Sequence, residues 1–195
     1  MKSEFNFDEK IMCPGDHTAT KERIEQYKEY YKIKYKLCKD QNPKVIAEIG
    51  VRAGYSAWTF LQACPEAKYV GFDANTGTHG GKGGEDGKFA RWSAEILKDY
   101  DAELIELDTQ KVNDLKINDV DFFHVDGDHT TKGVQHDLDL AFKAISDTGL
   151  IVVDDITYLP EVSDGVFIWV DKMKNEITSE FVESLRGEML IRKRI

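Results

Sequence analysis

The stretch "FFHVDGDHTTKG", Phe122 to Gly133, closes an apolar run with three titratable side chains, Asp126, Asp128 and His129, inside four residues. A turn there needs one Asp at most, to accept a backbone N–H or to cap a helix. A later apolar run, "GLIVVDD", closes on Asp154 and Asp155. Clustered carboxylates hold a hard cation through oxygen, or else they repel and one of them keeps its proton. An imidazole beside them, with an ordinary pKa of ~6.5, is suited to taking a hydroxyl proton near neutral pH.

Such groups need elements to place them, and the chain alternates between two periodicities. "PKVIAEIG" reads as a buried strand ending at Gly50, and "YSAWTFLQAC" as a helix starting near Ser56. "KYVGFDA" is a second strand ending at Asp73, "AELIELD" a third ending at Asp108, and "VDFFHVD" a fourth. Between them "KFARWSAEILKDY" is helical in pattern. Thr131 to Ile145 puts Val134, Leu138, Ala141, Phe142 and Ile145 on one helical face. Gly149 reads as that helix's C-cap, leading into the fifth strand. "VFIWVDKM" reads as a helix with a strand as the alternative, and "EFVESLRGEMLIRKR" as a terminal hairpin split at Arg186-Gly187.

Five strand–helix alternations mean an α/β fold, a doubly wound, Rossmann-like and mostly parallel sheet with helices on both faces and a C-terminal antiparallel hairpin. The chain reads as a single domain over 1–195, with residues 1–42 a helical cap and 43–195 the α/β core. In the cap, Thr20 to Lys39 is a Lys-rich amphipathic helix with Ile24, Tyr27, Tyr31 and Tyr35 facing inward. "GTHGGKGGEDG", residues 77–87, holds six glycines and is a candidate lid, with a plain surface loop as the alternative.

Sheets of this kind bind ligands outside the carboxyl ends of their strands. All five ends carry a carboxylate: Glu48, Asp73, Asp108, Asp126 and the pair Asp154-Asp155. "EIGVRAGYS" lets the chain turn at Gly50 and lets a ligand approach the backbone at Gly54, where a helix starts. Arg52 stands where a pyrophosphate loop needs Gly, which disfavours a dinucleotide. Asp73 can accept from a ribose diol. The two positions together suggest an adenosine carrying an amino-acid tail.

The ordered set "EIGVRAGYS", "GFDAN", "LDTQ", "FFHVDGDH" and "LIVVDDI" resembles the class I S-adenosylmethionine-dependent methyltransferases from about Val45 to the C-terminus. Within that class it is similar to the cation-dependent small-molecule O-methyltransferases of the catechol, caffeoyl-coenzyme A and macrolide-sugar types. The resemblance implies that Glu48, Gly50, Gly54 and Ser56 line the methionine end of the cofactor. It implies further that Asp73 holds the ribose, that Asp108, Thr109 and Gln110 lie at the adenine, and that Asp126 adjoins the cofactor. Asp126, Asp154 and Asp155 are implied to bind Mg²⁺ or another divalent cation. Several members carry Asn at the position of Asp155, so this site is one charge more acidic. His129 lies where catechol-type enzymes carry a catalytic Lys and is the expected general base beside Asp126; a histidine capping the next helix is the alternative. Asp128 supports the metal or caps that helix.

The acceptor implied is a small molecule with adjacent hydroxyls. A tRNA base hydroxyl, read with the Lys-rich helix, is disfavoured by the formal net charge of −10. A nicotinamide oxidoreductase is weakened by Arg52, and a non-catalytic cofactor-binding module by the clustered acids. No apolar run reaches the ~18 residues of a membrane span, and "MKSEFNFDEK" lacks a signal-peptide core. Cys13, Cys38 and Cys64 are widely spaced and odd in number, which fits free thiols in the cytoplasm. A homodimer through the hairpin or the N-terminal helix stays open. His17 and His136 have no patterned partners, His79 sits in the glycine stretch, and His124 reads as a hydrogen-bonded core group.

Overall fold

The structure is a computed structural model that describes residues 5–16, 21–76 and 87–195. The glycine-rich stretch with His79, and His17, lie outside the described residues, apart from Gly87 at the start of a helix. The elements follow in the order α1 (Lys21–Gln41), β1 (Val45–Ile49), α2 (Tyr55–Ala63), β2 (Lys68–Asp73), α3 (Lys88–Leu97) and β3 (Ala102–Glu106). Then come β4 (Val120–Val125), α4 (Thr131–Ala144), β5 (Ile145–Val153), α5 (Pro160–Met173), β6 (Ile177–Val182) and β7 (Glu188–Lys193).

The seven strands lie in the order β3-β2-β1-β4-β5-β7-β6. Strands β1 to β5 are parallel, while β7 pairs antiparallel with both β5 and β6. This is the expected doubly wound sheet with its terminal hairpin. The order reverses between β1 and β4, where Ile49 pairs with Val125. The crevice beyond their carboxyl ends is therefore the place for a ligand.

Period-2 alternation divides the sheet residues between two cores. On β4, Phe122 packs with Ile46, Leu150 and Val152 under helices α1 to α3. Phe123 and Val125 pack with Ala47, Ile49 and Val153 under α4 and α5. Phe122 and Phe123 are both fully buried, each contributing about 1.5–3 kcal/mol of apolar burial. Three positions on the α1 side break the apolar pattern: Glu48, His124 and Glu188 are fully buried.

Three expectations need correction. The inward face of α1 is Tyr27, Tyr30, Tyr31, Lys34 and Cys38, whereas Ile24 and Tyr35 are only half-buried. Tyr35 is drawn aside to stack on Phe5 at 4.4 Å. Helix α4 ends at Ala144, with Ile145 as its C-cap, so Gly149 is not a cap but lies within β5. The β4–β5 register shifts between Val120 and Phe122, and a Cβ at Gly149 would lie 2.8 Å from the Val120 carbonyl. Glycine is used there for close approach. Strand β3 stops at Glu106, because Asp108 already caps a 3-10 turn over Thr109–Lys111.

Candidate active site

The crevice begins at Gly50, whose φ is 91°. A Cβ on Gly50 would sit 1.8 Å from the Asp126 carbonyl oxygen, so the chain leaving β1 passes directly against the chain leaving β4. Helix α2 then starts at Gly54 without a side-chain cap, which leaves its first amides to another acceptor. Ser56, in that first turn, donates its hydroxyl to Glu48. Glu48 also accepts from the Tyr69 hydroxyl, and His124 Nδ1 lies 2.7 Å away. Its carboxylate therefore spends its lone pairs inside the protein, bracing the floor of the crevice.

Asp73 closes β2. Its Oδ2 accepts from the Arg52 N–H at 2.7 Å and its Oδ1 from the Asn75 N–H at 2.6 Å. Each oxygen keeps a second lone pair, and the residue is half-buried, as a diol-binding acid requires. The Arg52 side chain turns away to grip Asp16 through both Nη atoms, at 2.8 and 3.0 Å. The loop after β3 is tied down from α4. Buried Asp137 accepts from Thr109 Oγ1 at 2.7 Å, from Gln110 Nε2 at 2.9 Å and from the Asp128 N–H at 3.0 Å. Burial pushes the Asp137 carboxyl up to about 6, against the pull of those bonds. Asp108 accepts from the Gln110 N–H at 3.1 Å and pairs with Lys111 at 2.9 Å.

The acids of β4 and β5 divide the work unexpectedly. Asp154 turns toward α1, where its Oδ2 accepts from the Tyr30 hydroxyl and lies 3.1 Å from Lys34 Nζ. Burial raises this carboxyl, yet the Lys34 charge, the Tyr30 bond and Arg186 outweigh it and bring it down to about 2. Asp155 has φ 65°, a left-handed conformation that swings its side chain back into the crevice. Its Oδ1 accepts from Arg186 Nη1 at 2.9 Å, while its buried Oδ2 has no hydrogen-bond partner. Burial and the neighbouring Asp126 and Asp154 push Asp155 up to about 7, with Arg186 pulling the other way.

Asp126, His129 and Asp155 converge, each offering a ligand atom within 4.8 Å of the others. His129 Nε2 lies 3.4 Å from Asp126 Oδ1 and 3.7 Å from Asp155 Oδ2, long for hydrogen bonds. Burial favours the neutral ring, but Asp126, Asp155 and Asp154 together raise its pKa above the ordinary value. A cavity of about 10 Å³ beneath Asp126 and His129, walled by Val134, Val153 and Val162, is roughly large enough for one water. His129 does not cap α4; Thr130 does, through Gly133. Asp128 accepts from the Thr130 N–H at 2.7 Å and so shapes the turn before that helix.

Four residues that shape the site were not singled out from sequence. Lys34 is fully buried, with Nζ 2.8 Å from His124 Nε2 and 3.7 Å from Glu188 Oε1. An ammonium only donates and a carboxylate only accepts, so His124 bridges Lys34 and Glu48 as its Nδ1–H tautomer. Asp154 and Glu188 keep the Lys34 pKa high despite its burial. Tyr30 and Asp137 act as described, and Arg186 reaches in from the hairpin loop. A signal existed for three of them: Tyr30 and Lys34 fall on the Tyr27–Tyr31–Cys38 stripe, and Asp137 on the Val134–Leu138 stripe. Arg186 carried none. His136, by contrast, has partners after all, since its Nε2 lies 3.0 Å from the Thr109 carbonyl and 2.9 Å from that of Val112.

Comparison with known proteins adds a family. The family model described as "Methyltransferase domain" matches residues 47–156, which hold every strand-end acid discussed above. No curated protein sequence matches the chain. Solved structures share its fold at low identity. The O-methyltransferase from Streptomyces achromogenes involved in tomaymycin synthesis, in complex with SAM, superposes with a TM-score of 0.65 at 16% identity, covering 86% of this chain and 81% of its own. A Podospora anserina methyltransferase bound to SAH gives 0.62 at 18% identity, covering 85% and 78%. The O-methyltransferase from Bacillus cereus in complex with SAH gives 0.65 at 16% identity, covering 85% and 80%.

Proposed function

The chain belongs to the methyltransferase-domain family and is an enzyme of that class, and from that premise we propose that it moves a methyl group from S-adenosylmethionine to a hydroxyl of a small molecule. The observation that carries the O-methyl reading is Asp155 Oδ2. It is a buried carboxylate oxygen without a hydrogen-bond partner, facing Asp126 and His129 at the ligand end of the sheet. A lone buried acceptor is costly unless something fills its place. Two carboxylates and one imidazole fit a divalent cation.

The donor set proposed is Asp126, His129 and Asp155, with Asp154 Oδ1 accepting from the Asp155 N–H at 2.8 Å behind them. One nitrogen among oxygens suits Mn²⁺ or another first-row ion as well as Mg²⁺. Bound there, such an ion would lower the pKa of an acceptor hydroxyl and fix its orientation. Without an ion, His129 in its neutral form would take the acceptor's proton on Nε2. Methyl transfer is a direct displacement, so the chain's task is to align donor and acceptor.

For the cofactor, Asp73 would take the ribose hydroxyls on its spare lone pairs, and the open first turn of α2 the carboxylate of the methionine tail. Glu48 and Ser56 would act beneath the cofactor by stiffening that turn. Thr109 and Gln110 would border the adenine, held by Asp137. Net charge −10 favours a small-molecule hydroxyl over a nucleic acid.

The test is calorimetric titration with S-adenosylmethionine and S-adenosylhomocysteine, with and without Mn²⁺ or Mg²⁺, using NADH as the control. Binding of both adenosyl ligands, weakened at least ~10-fold in Asp73→Ala, is the expected result. Binding of NADH alone would refute the reading.

A further inference from the structure

One cation already stands at the acidic group. We propose that Arg186 and a divalent ion compete for Asp155, so that the β6–β7 loop sets the site's affinity for metal. The proposal rests on the reading of Asp126, His129 and Asp155 as cation ligands.

Arg186 is held in place before any ligand arrives. Its Nη1 donates to Asp155 Oδ1 at 2.9 Å and its Nη2 to the Tyr27 hydroxyl at 3.0 Å. The guanidinium lies 4.8 Å from the Tyr158 ring centroid, and 5.8 Å from those of Tyr27 and Tyr30. The loop is sewn to the segment just beyond Asp155. Thr157 N–H donates to the Arg186 carbonyl at 2.7 Å and Ile156 N–H to the Gly187 carbonyl at 3.1 Å. Ser184 Oγ accepts from the Gly187 N–H at 2.9 Å. The positive charge is therefore built into the wall of the site.

Two consequences follow from elementary electrostatics. A unit positive charge 2.9 Å from a ligand carboxylate repels an incoming dication, and partial burial limits the screening by salt. The bond also takes one lone pair of Oδ1 and keeps the positive charge beside that oxygen, so a dication that approaches Oδ1 meets the guanidinium at close range. Binding through both oxygens is easier once the guanidinium moves off, and the tyrosine rings and the Tyr27 hydroxyl oppose that movement. An Arg is a stronger competitor than a Lys at such a place, because its planar fork keeps its bond geometry.

The experiment is Mn²⁺ binding to the intact chain, followed by the loss of the free-ion resonance signal in wild type, Arg186→Gln, Arg186→Lys and Asp155→Asn. Arg186→Gln keeps a donor and loses the charge, and it should bind Mn²⁺ at least ~10-fold more tightly than wild type. Arg186→Lys keeps the charge but not the planar fork, so its affinity should fall between those of wild type and Arg186→Gln, and Asp155→Asn should bind least. A wild type that binds Mn²⁺ through Asp155, with an Arg186→Gln affinity equal or weaker, overturns the competition and leaves the metal reading standing. No Mn²⁺ on wild type or on Arg186→Gln, in proteins that still bind S-adenosylhomocysteine, overturns both. A second measurement needs no variant. In ¹⁵N-arginine-labelled wild type the Arg186 Nε–H resonance should move as Mg²⁺ is added and saturate with it; a resonance that stays fixed while Mg²⁺ binds overturns the competition.

Discussion

At the scale of the residue, two adjacent aspartates have been given opposite jobs by one backbone angle. Asp154 is consumed by Lys34 and Tyr30, and Asp155, at φ 65°, faces the ligand side with one oxygen unpaired. Both sit at the end of β5, and "VVDD" cannot show which way each turns, because a left-handed residue inverts the strand's alternation. The sequence did place acids at every strand end, which is as far as alternation alone reaches. The split predicts different outcomes for the two substitutions. Asp155→Asn should lose divalent-cation binding by at least ~10-fold yet change stability by no more than about 1 kcal/mol, since the relief of repulsion by Asp126 and Asp154 offsets the lost pairing with Arg186. Asp154→Asn strands the buried Lys34 charge, and it should lower unfolding free energy by roughly 3 kcal/mol. Paired urea denaturation and Mn²⁺ titration of both variants would separate the two jobs; similar behaviour of the pair would contradict them.

At the scale of the element, α1 shows where periodicity succeeds and where it stops. An amphipathic helix with tyrosines inward follows from the 3.6 spacing, but a one-position rotation decides whether Tyr35 or Lys34 is buried. A lysine on that face reads as solvated unless its partners are known, and those are His124 on β4, Asp154 just past β5 and Glu188 on β7. Only the folded sheet brings them together. The helix is thus fastened by charge as well as by Tyr27, Tyr30 and Tyr31. Lys34→Met should cost about 3–5 kcal/mol, since it leaves Asp154 and Glu188 without their counter-charge. The double variant with Asp154→Asn should recover part of that loss, which a double-mutant cycle measures. Full additivity would mean that the two side chains do not communicate. The boundary between α4 and β5 departs from the helical pattern for a related reason. Gly149 has two structural uses, capping and close approach, and only the neighbouring Val120 carbonyl distinguishes them.

At the scale of the whole molecule, buried carboxylates tie global stability to pH, and their signs differ. Asp154, depressed to about 2 from 3.8, contributes stability that is fully present above pH 3.8 and is lost as pH falls through about 2. Asp137 is raised to about 6 from the same 3.8. The unfolded chain releases that proton first, so the native state binds more protons between the two values. Stability from this group is therefore greatest below about pH 4 and declines as pH rises through about 6. A shift of about two units corresponds to a decline of up to ~3 kcal/mol. Asp137→Asn cannot titrate, so its stability relative to wild type should improve by up to that amount between pH 4 and pH 7. The variant also loses the bond from the Asp128 N–H, but that cost is the same at every pH and drops out of the difference. Asp155, raised to about 7, titrates in both proteins and cancels likewise. Urea unfolding of the two proteins at half-unit steps from pH 4 to pH 7 reads the difference directly. A constant offset would show that Asp137 stays ionised throughout, and that Thr109, Gln110 and the Asp128 N–H stabilise its charge more than burial penalises it.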